Sequence, residues 1–366
     1  MGSISHLSSP IHIWWDITRQ CNLRCLHCYS CASQRSETEL TTEEVFGIID
    51  QLKAMNIGYV YILGGEPLLR SDFDIILDYF SKAQIPLMLN TNGWFVDNHW
   101  AEKISESSVK QLRFSVDGCN AETHDALRQK KGSFERVVNA IKICRETSIP
   151  LISCSFTITK HNMHEIQPTV DLLAKLGVDQ IQFGPISNTG RASEHPQLLL
   201  EANDTQGIAN ILSQCINDYG DKIFIYSVDG IYDKPCTQCV KEGMVKPMFM
   251  GCLAGRTCCC IDWEGKVIPC LLKREPVAGS LRETPFQDIW DHAPVFNYMR
   301  RHRGAEYPEC NECIYGDVCA RECPLAQSQK TYGYHERRER IQSLPLENAA
   351  KPVSCSLTGY CHNSLR

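Results

Sequence analysis

Ile11-His12-Ile13-Trp14-Trp15-Asp16-Ile17-Thr18-Arg19-Gln20-Cys21-Asn22-Leu23-Arg24-Cys25-Leu26-His27-Cys28 is an apolar run of strand length that opens directly into a loop bearing three thiols. Five more apolar runs follow, Tyr59 to Leu63, Ile85 to Thr91, Gln111 to Val116, Leu151 to Thr159 and Gln180 to Pro185, and an amphipathic segment trails each one. Short apolar runs alternating with helical patterns specify a parallel sheet with crossover helices. Thr41 with Glu44, and Ser71 with Asp74, stand where capping boxes would start the first two helices, and Gly177 stands where the helix after the fifth run would stop. The rhythm breaks after Lys222 to Ser227, and from about Pro235 the chain is rich in Cys, Gly and Pro. The expected division is therefore an α/β domain over 11–227, a linker over 228–250 and a second domain over 251–366.

The chain has 366 residues, 43% hydrophobic and 22% charged, with a formal net charge of −6, enough for one large core and a smaller one. No long basic run marks a nucleic-acid partner, and no apolar stretch is long enough to span a membrane. Met1 to Pro10 lacks the basic and apolar regions of a signal peptide. A cytoplasmic location is the expectation. The 21 cysteines then need a reason other than disulfides, which require an oxidising compartment, so metal or cluster ligation is favoured. The cysteine-rich second domain has little apolar periodicity, and bound metal must supply part of its stability.

Cys21, Cys25 and Cys28 are separated by three residues and then two, on a loop at the C-terminal end of the first strand. Three thiols are one short of the four that usually ligate a four-iron cluster, which leaves one iron open. The spacing resembles the signature of the radical S-adenosylmethionine superfamily. The alternative for the bare spacing is a zinc site. In the superfamily the open iron binds the methionine end of the cofactor, and reductive cleavage yields a 5′-deoxyadenosyl radical that abstracts a substrate hydrogen. That step lies beyond any side-chain base, so the cofactor carries it. The resemblance implies a partial (β/α)6 TIM-like barrel whose site gathers at strand C-termini. It also implies that Gly64-Gly65-Glu66-Pro67 forms the glycine-rich turn meeting the cofactor amino group, where glycine permits close backbone approach. The alternative is an ordinary strand-to-helix turn. Ser115 would bond the ribose or methionine end, and Arg128 would pair with the cofactor carboxylate. Asn92 and Gln182 to Pro185 would form the wall, His27 and Tyr29 would flank the third ligand against adenine or cover the loop, and Asp117 is the candidate catalytic base or a turn-holding residue.

The C-terminal spacing runs Cys252, Cys258, Cys270, then Cys310, Cys313, Cys319, Cys323, then Cys355 or Cys361. It resembles, cysteine for cysteine, the SPASM domain of radical enzymes that modify peptides. The resemblance implies one auxiliary four-iron cluster on Cys252, Cys258, Cys270 and Cys323, and a second on Cys310, Cys313, Cys319 and Cys355 or Cys361. Zinc is the alternative here too. Cys259 or Cys260 could replace Cys258, and Ala320-Arg321-Glu322 departs from the family's usual glycines before Cys323. Cys236 and Cys239 form a further pair at the junction. Cys31, Cys119, Cys144, Cys154 and Cys215 read as buried small hydrophobes.

The cofactors implied are S-adenosylmethionine and three four-iron clusters, with a reductase or flavodoxin-like protein as electron donor. Closed auxiliary clusters can accept an electron from a substrate radical, which suits oxidative modification of a ribosomally made peptide. With the barrel starting near Ile11, leader recognition is expected from a separate protein or from the barrel and SPASM surfaces. Trp15-Asp16-Ile17-Thr18 before the thiol loop, and Gly64 to Arg70, also resemble members that modify tetrapyrrole or haem-precursor side chains. A reading from another class, a non-catalytic iron–sulfur carrier, leaves the cofactor turn without a use.

Overall fold

A computed structural model describes residues 7–227 and 252–302. Its strands are β1 His12–Asp16, β2 Tyr59–Leu63, β3 Leu87–Thr91, β4 Val109–Ser115, β5 Ile152–Ile158, β6 Gln180–Pro185 and β7 Phe224–Ser227, each parallel to the next. The helices joining them are α1 Thr42–Ala54, α2 Phe73–Ala83, α3 Asn98–Ser105, α4 Ala121–Arg128, α5 Ser133–Arg145, α6 Ile166–Lys175 and α7 Ala202–Tyr219. The chain is thus an α/β protein built on a partial (β/α)6 TIM-like barrel. The fourth crossover carries two helices, α4 and α5.

Local sequence sets these elements. Thr41 caps α1, accepting from Glu44 N at 3.3 Å while the Glu44 carboxylate accepts from Thr41 N at 2.8 Å. Val45, Ile48, Ile49 and Leu52 then form the buried stripe of a 3.6-residue period. Gly177, at φ +71°, follows the end of α6 as expected. The start of α2 differs from expectation. Asp72, not Ser71, is its N-cap, and it makes no side-chain capping bond. The Arg70 guanidinium takes the Asp72 carboxylate at 2.8 and 3.0 Å and also donates to the Ile17 and Leu40 carbonyls at 2.9 and 2.8 Å. A buried arginine fork thereby outcompetes a helix cap.

The sheet continues on the other side of β1. β8 Cys258–Ile261 pairs parallel to β1, with His12 opposite Cys258 and Trp14 opposite Cys260, and β9 Lys266–Ile268 and β10 Gly279–Ser280 follow antiparallel. α8 Phe286–His292 and α9 Pro294–Arg301 complete this segment. Residues 253–301, expected to belong to the second domain, therefore form one compact unit with residues 7–227, while Cys252 and His302 belong to a second unit. Cys236, Cys239, Cys310, Cys313, Cys319, Cys323, Cys355 and Cys361 lie outside the described residues.

Strand pleating divides the side chains of β1. Ile13 and Trp15 are fully buried, and the Trp15 ring meets Phe80 of α2 at 6.2 Å. His12, Trp14 and Asp16 share the opposite face, where His12 stacks on Tyr59 at 5.1 Å and Trp14 lies 5.9 Å from Tyr61. No helix among the described residues is long and apolar enough to cross a membrane.

Candidate active site

A cavity of about 390 Å³ opens at the C-terminal ends of the strands. Cys21, Cys25 and Cys28 line it together with Gly64, Gly65, Asn92, Ser115, Arg128, His27 and Tyr29. Asn90, Ser155, Thr157, Gln182 and Pro185 form much of the remaining wall, and Leu272 joins it from the segment after β9. Glu66, Pro67 and Asp117 do not line it.

Backbone contacts hold the thiol loop in place. Gly65 N donates to Thr18 O, and Glu66 N to Gln20 O, both at 2.7 Å. A Cβ on Gly64, at φ +129°, would lie 2.4 Å from Thr18 O, and one on Gly65 would lie 2.0 Å from Gln20 O. These glycines are therefore required by the close approach of two backbone segments as well as by the cavity. On the other side Arg191 donates to Cys25 O and Ala32 O, both at 2.9 Å, and its own N–H reaches Cys28 O at 3.0 Å. No local pattern in the sequence marks Arg191, which lies far along the chain from the loop it clamps.

Asp117 is fully buried and committed on every side. Its carboxylate meets Arg128 Nη2 at 2.6 Å and His27 Nε2 at 3.3 Å, and its other oxygen accepts from Thr157 N at 2.9 Å. Its backbone N–H donates to His124 Nδ1 at 3.1 Å, and its carbonyl accepts from Asn162 at 3.0 Å. Burial alone would raise the carboxyl, but Arg128 and then His27 hold it well below the usual carboxylate range. A group so placed and so acidic is a poor proton acceptor, and this geometry argues against Asp117 as the catalytic base. What it does is anchor Arg128, whose Nη1 lies 3.7 Å from Cys25 Sγ.

Glu66 is likewise a brace. Its carboxylate accepts from Thr91 Oγ1 and Asn92 N, both at 2.7 Å, and from Leu68 N at 3.3 Å; burial pushes it up to about 7 against those bonds. Asn92 in turn donates to Asn22 Oδ1 at 2.9 Å, tying the end of β3 to the thiol loop. Tyr29 turns its hydroxyl to Asp16 Oδ1 at 3.1 Å, and Arg274 reaches Asp16 Oδ2 at 2.5 Å. Burial raises the Asp16 carboxyl despite the Arg274 pair. Asp16 stood out in the sequence only as part of the Trp15–Thr18 stretch, and Arg274 not at all.

The other cysteines divide by place. Cys258, Cys259 and Cys260 are all buried within β8, where pleating sends Cys259 to the face opposite its two neighbours. Cys270 and Cys252 are half-buried. Cys144, Cys154 and Cys215 are buried as expected, whereas Cys31 and Cys119 are half-exposed.

The residues present fit a cluster with a bound cofactor. The three thiols line one cavity at the strand ends. Asn90 Oδ1, His27 Nδ1 and Arg128 Nε are buried without hydrogen-bond partners among the described residues, and all three residues line the same cavity. Burial pushes the Cys21 thiol up to about 12, so ligation there must displace a proton.

The radical SAM superfamily model matches residues 15–173, and the iron–sulfur cluster-binding SPASM model matches 252–314. The AdoMet-dependent heme synthase of Methanosarcina barkeri is 32% identical over 87% of this chain and 92% of its own. The chain belongs to the radical SAM superfamily and carries a SPASM domain. This radical SAM chain is also 29% identical to the mycofactocin maturase MftC of Mycolicibacterium smegmatis, over 88% of this chain and 80% of that one. Streptococcus suis SuiB, solved bound to the precursor peptide SuiA, shares the fold with a TM-score of 0.72 at 18% identity, covering 87% of this chain and 72% of SuiB. As a radical SAM/SPASM enzyme it uses S-adenosylmethionine, a four-iron cluster and auxiliary iron–sulfur clusters.

Proposed function

We propose that this enzyme modifies a ribosomally synthesised peptide by net oxidation. The observation that carries the reading is the chemistry of the described cavity wall. Ser155, Thr157, Gln182 and Ser187 offer a neutral amide and hydroxyls suited to a peptide backbone. The two arginines of that wall are already engaged, Arg128 by Asp117 and Arg191 by backbone carbonyls. A tetrapyrrole carrying several carboxylates would call for uncommitted cations. The relationship to a maturase supports the same reading, and the 32% identity to a heme synthase favours tetrapyrrole modification as the second one.

When bound, the cluster and S-adenosylmethionine supply abstraction of a hydrogen atom from unactivated carbon. In this proposal Cys21, Cys25 and Cys28 hold the cluster, Gly64 and Gly65 present backbone to the cofactor, and Ser115, Asn90 and His27 offer it polar contacts. Asp117 keeps Arg128 charged and aimed at Cys25. Arg191 and the Tyr29–Asp16–Arg274 set hold the loop against both its neighbours. Cys252, Cys258 or Cys260, and Cys270 belong to the auxiliary ligands, with Cys310, Cys313, Cys319, Cys323 and Cys355 supplying the rest. The division into 11–227, 228–250 and 251–366 is part of the proposal, with residues 253–301 packed on the barrel edge. So are a cytoplasmic location, a separate peptide-recognition protein and a flavodoxin-like electron donor.

The test is to incubate reconstituted enzyme, cofactor and reductant with a candidate precursor peptide or with an iron-loaded carboxylated porphyrin. Formation of 5′-deoxyadenosine coupled to loss of hydrogen mass from the peptide is expected. Turnover of the porphyrin with the peptide unchanged would transfer the assignment to the second reading.

A further inference from the structure

The turn between α4 and α5 carries concentrated positive charge directly behind the thiol loop. Lys130, Lys131 and Arg136 are exposed, and Trp94, half-buried after β3, lies against two of them. Lys130 Nζ is 5.1 Å and Arg136 Cζ 5.4 Å from a Trp94 ring centroid. Trp94, Lys131, Gly132, Glu135, Arg136 and Asn139 line a shallow crevice. Glu135 is its one carboxylate. The nearby Asp125 is occupied in capping α5, accepting from Gly132 N at 2.6 Å, Ser133 Oγ at 2.7 Å and Phe134 N at 2.8 Å. Three cations thus gather locally on a chain whose formal net charge is −6.

This crevice is joined to the thiols by two short routes. Arg128, at the end of α4, is followed closely by Lys130 and places Nη1 3.7 Å from Cys25 Sγ, while Leu26 N donates to Leu127 O at 2.9 Å. Trp94 N donates to Asn92 Oδ1 at 2.9 Å, and Asn92 donates to Asn22, the neighbour of Cys21, at 2.9 Å. Arg24, in the thiol loop itself, is exposed as well. None of the crevice residues lines the cavity, so the crevice can be covered while the cavity is filled.

We propose that this crevice docks an acidic one-electron carrier protein. The carrier is oxidised by one electron, the cluster at Cys21, Cys25 and Cys28 is reduced by one, and no bond or proton changes hands. Opposite charge steers the encounter, and the flat Trp94 ring gives the patch an apolar centre between its cations. The inference rests on the radical reading above, which needs a reduced cluster.

The experiment uses reconstituted holoenzyme and two acidic probes, a flavodoxin and a ferredoxin. Calorimetry measures their affinity, and stopped-flow absorbance measures cluster reduction at low and high salt. The variant K130E/K131E/R136E is expected to weaken binding by at least about tenfold and to lose the salt dependence. Lys53→Glu, exposed on α1 and outside the crevice, is expected to match wild type. Dithionite, which needs no docking, should drive equal 5′-deoxyadenosine formation in all three proteins. If the triple variant folds poorly, K130Q/K131Q should give a smaller loss in the same direction. Wild-type binding of neither probe, unchanged affinity in the charge variants, or equal losses in Lys53→Glu would overturn the docking proposal. So would intact carrier reduction in variants that no longer convert the peptide with dithionite, which would assign the crevice to the peptide. Wild-type enzyme that makes no 5′-deoxyadenosine even with dithionite would instead refute the radical reading itself.

Discussion

Two groups of cysteines lie on neighbouring parts of one sheet and differ in what their backbone allows. Cys21, Cys25 and Cys28 stand on the loop that leaves β1, around a cavity, with the Cys25 and Cys28 carbonyls held by Arg191 and the Thr18 and Gln20 carbonyls by the amides of the Gly64–Glu66 turn. Cys258, Cys259 and Cys260 stand inside β8, the strand paired to β1, and are all buried. A loop with a spacing of three and then two can converge three thiols on one volume. A strand cannot, because successive side chains alternate faces, so adjacent cysteines there are divided between two environments. Residue type is the same in both places, and backbone conformation decides what each can hold. Asp16 links the regions: it is bonded to Tyr29 beside Cys28 and to Arg274 beyond Cys270.

The largest effect should come from breaking the buried charge pairs that fix the loop side of this contrast. Asp117→Ala leaves Arg128 buried without its partner and should cost about 3–5 kcal/mol in urea unfolding. A loss below about 1 kcal/mol would mean that Arg128 does not depend on Asp117. Arg191→Met removes two bonds from a charged donor to loop carbonyls, with an expected cost of about 2 kcal/mol. The same variant should release iron faster to a chelator, a result that an Arg191 merely packed on the surface would not give.

Two buried groups should tilt the pH dependence in opposite directions. His124 accepts a bond from Asp117 N, and burial, aided by Arg128, lowers it from 6.5 to about 4. The unfolded chain binds its proton first, so this group makes stability fall as pH drops from about 6.5 to about 4. Burial raises Glu66 from 4.5 to about 7, so the folded chain binds that proton first, and this group makes stability fall as pH rises from about 4.5 to about 7. Relative to wild type, His124→Gln should lower the slope of stability against pH, and Glu66→Gln should raise it, each by up to about 1.4 kcal/mol per pH unit. Parallel curves for all three proteins would contradict both assignments.

The smallest effect sharpens the strand side. Cys259→Ala should cost about 1 kcal/mol of packing and leave the iron content unchanged. One of Cys258→Ala and Cys260→Ala, which share the other face, should lower it. Iron loss from Cys259→Ala alone would mean that the strand register does not set the ligands.

Much of the barrel was legible because its signals are local. Apolar runs, the Thr41 cap and the Cys21–Cys28 spacing each act within a few residues, and their order along the chain fixes a parallel sheet. The strands shrink slightly at their ends, as at Ile85 and Pro86, which precede β3. What stayed hidden depends on distance along the chain. The pairing of β8 with β1, the Arg191 clamp and the Asp16–Arg274 pair each join segments far apart, and no short pattern encodes them. Asp117 was picked out for its place after β4, but only the fold reveals that every polar atom it offers is already engaged. The Asp72 start of α2 was missed for a related reason: Arg70 claims that carboxylate because it also satisfies two buried carbonyls.

The most direct test is iron and sulfide content after anaerobic reconstitution, on wild type and on a variant with Cys21, Cys25 and Cys28 all changed to Ala. The account predicts about twelve irons falling to about eight, one cluster lost from the loop and two retained. An iron content that does not change on removing the three loop thiols would contradict it.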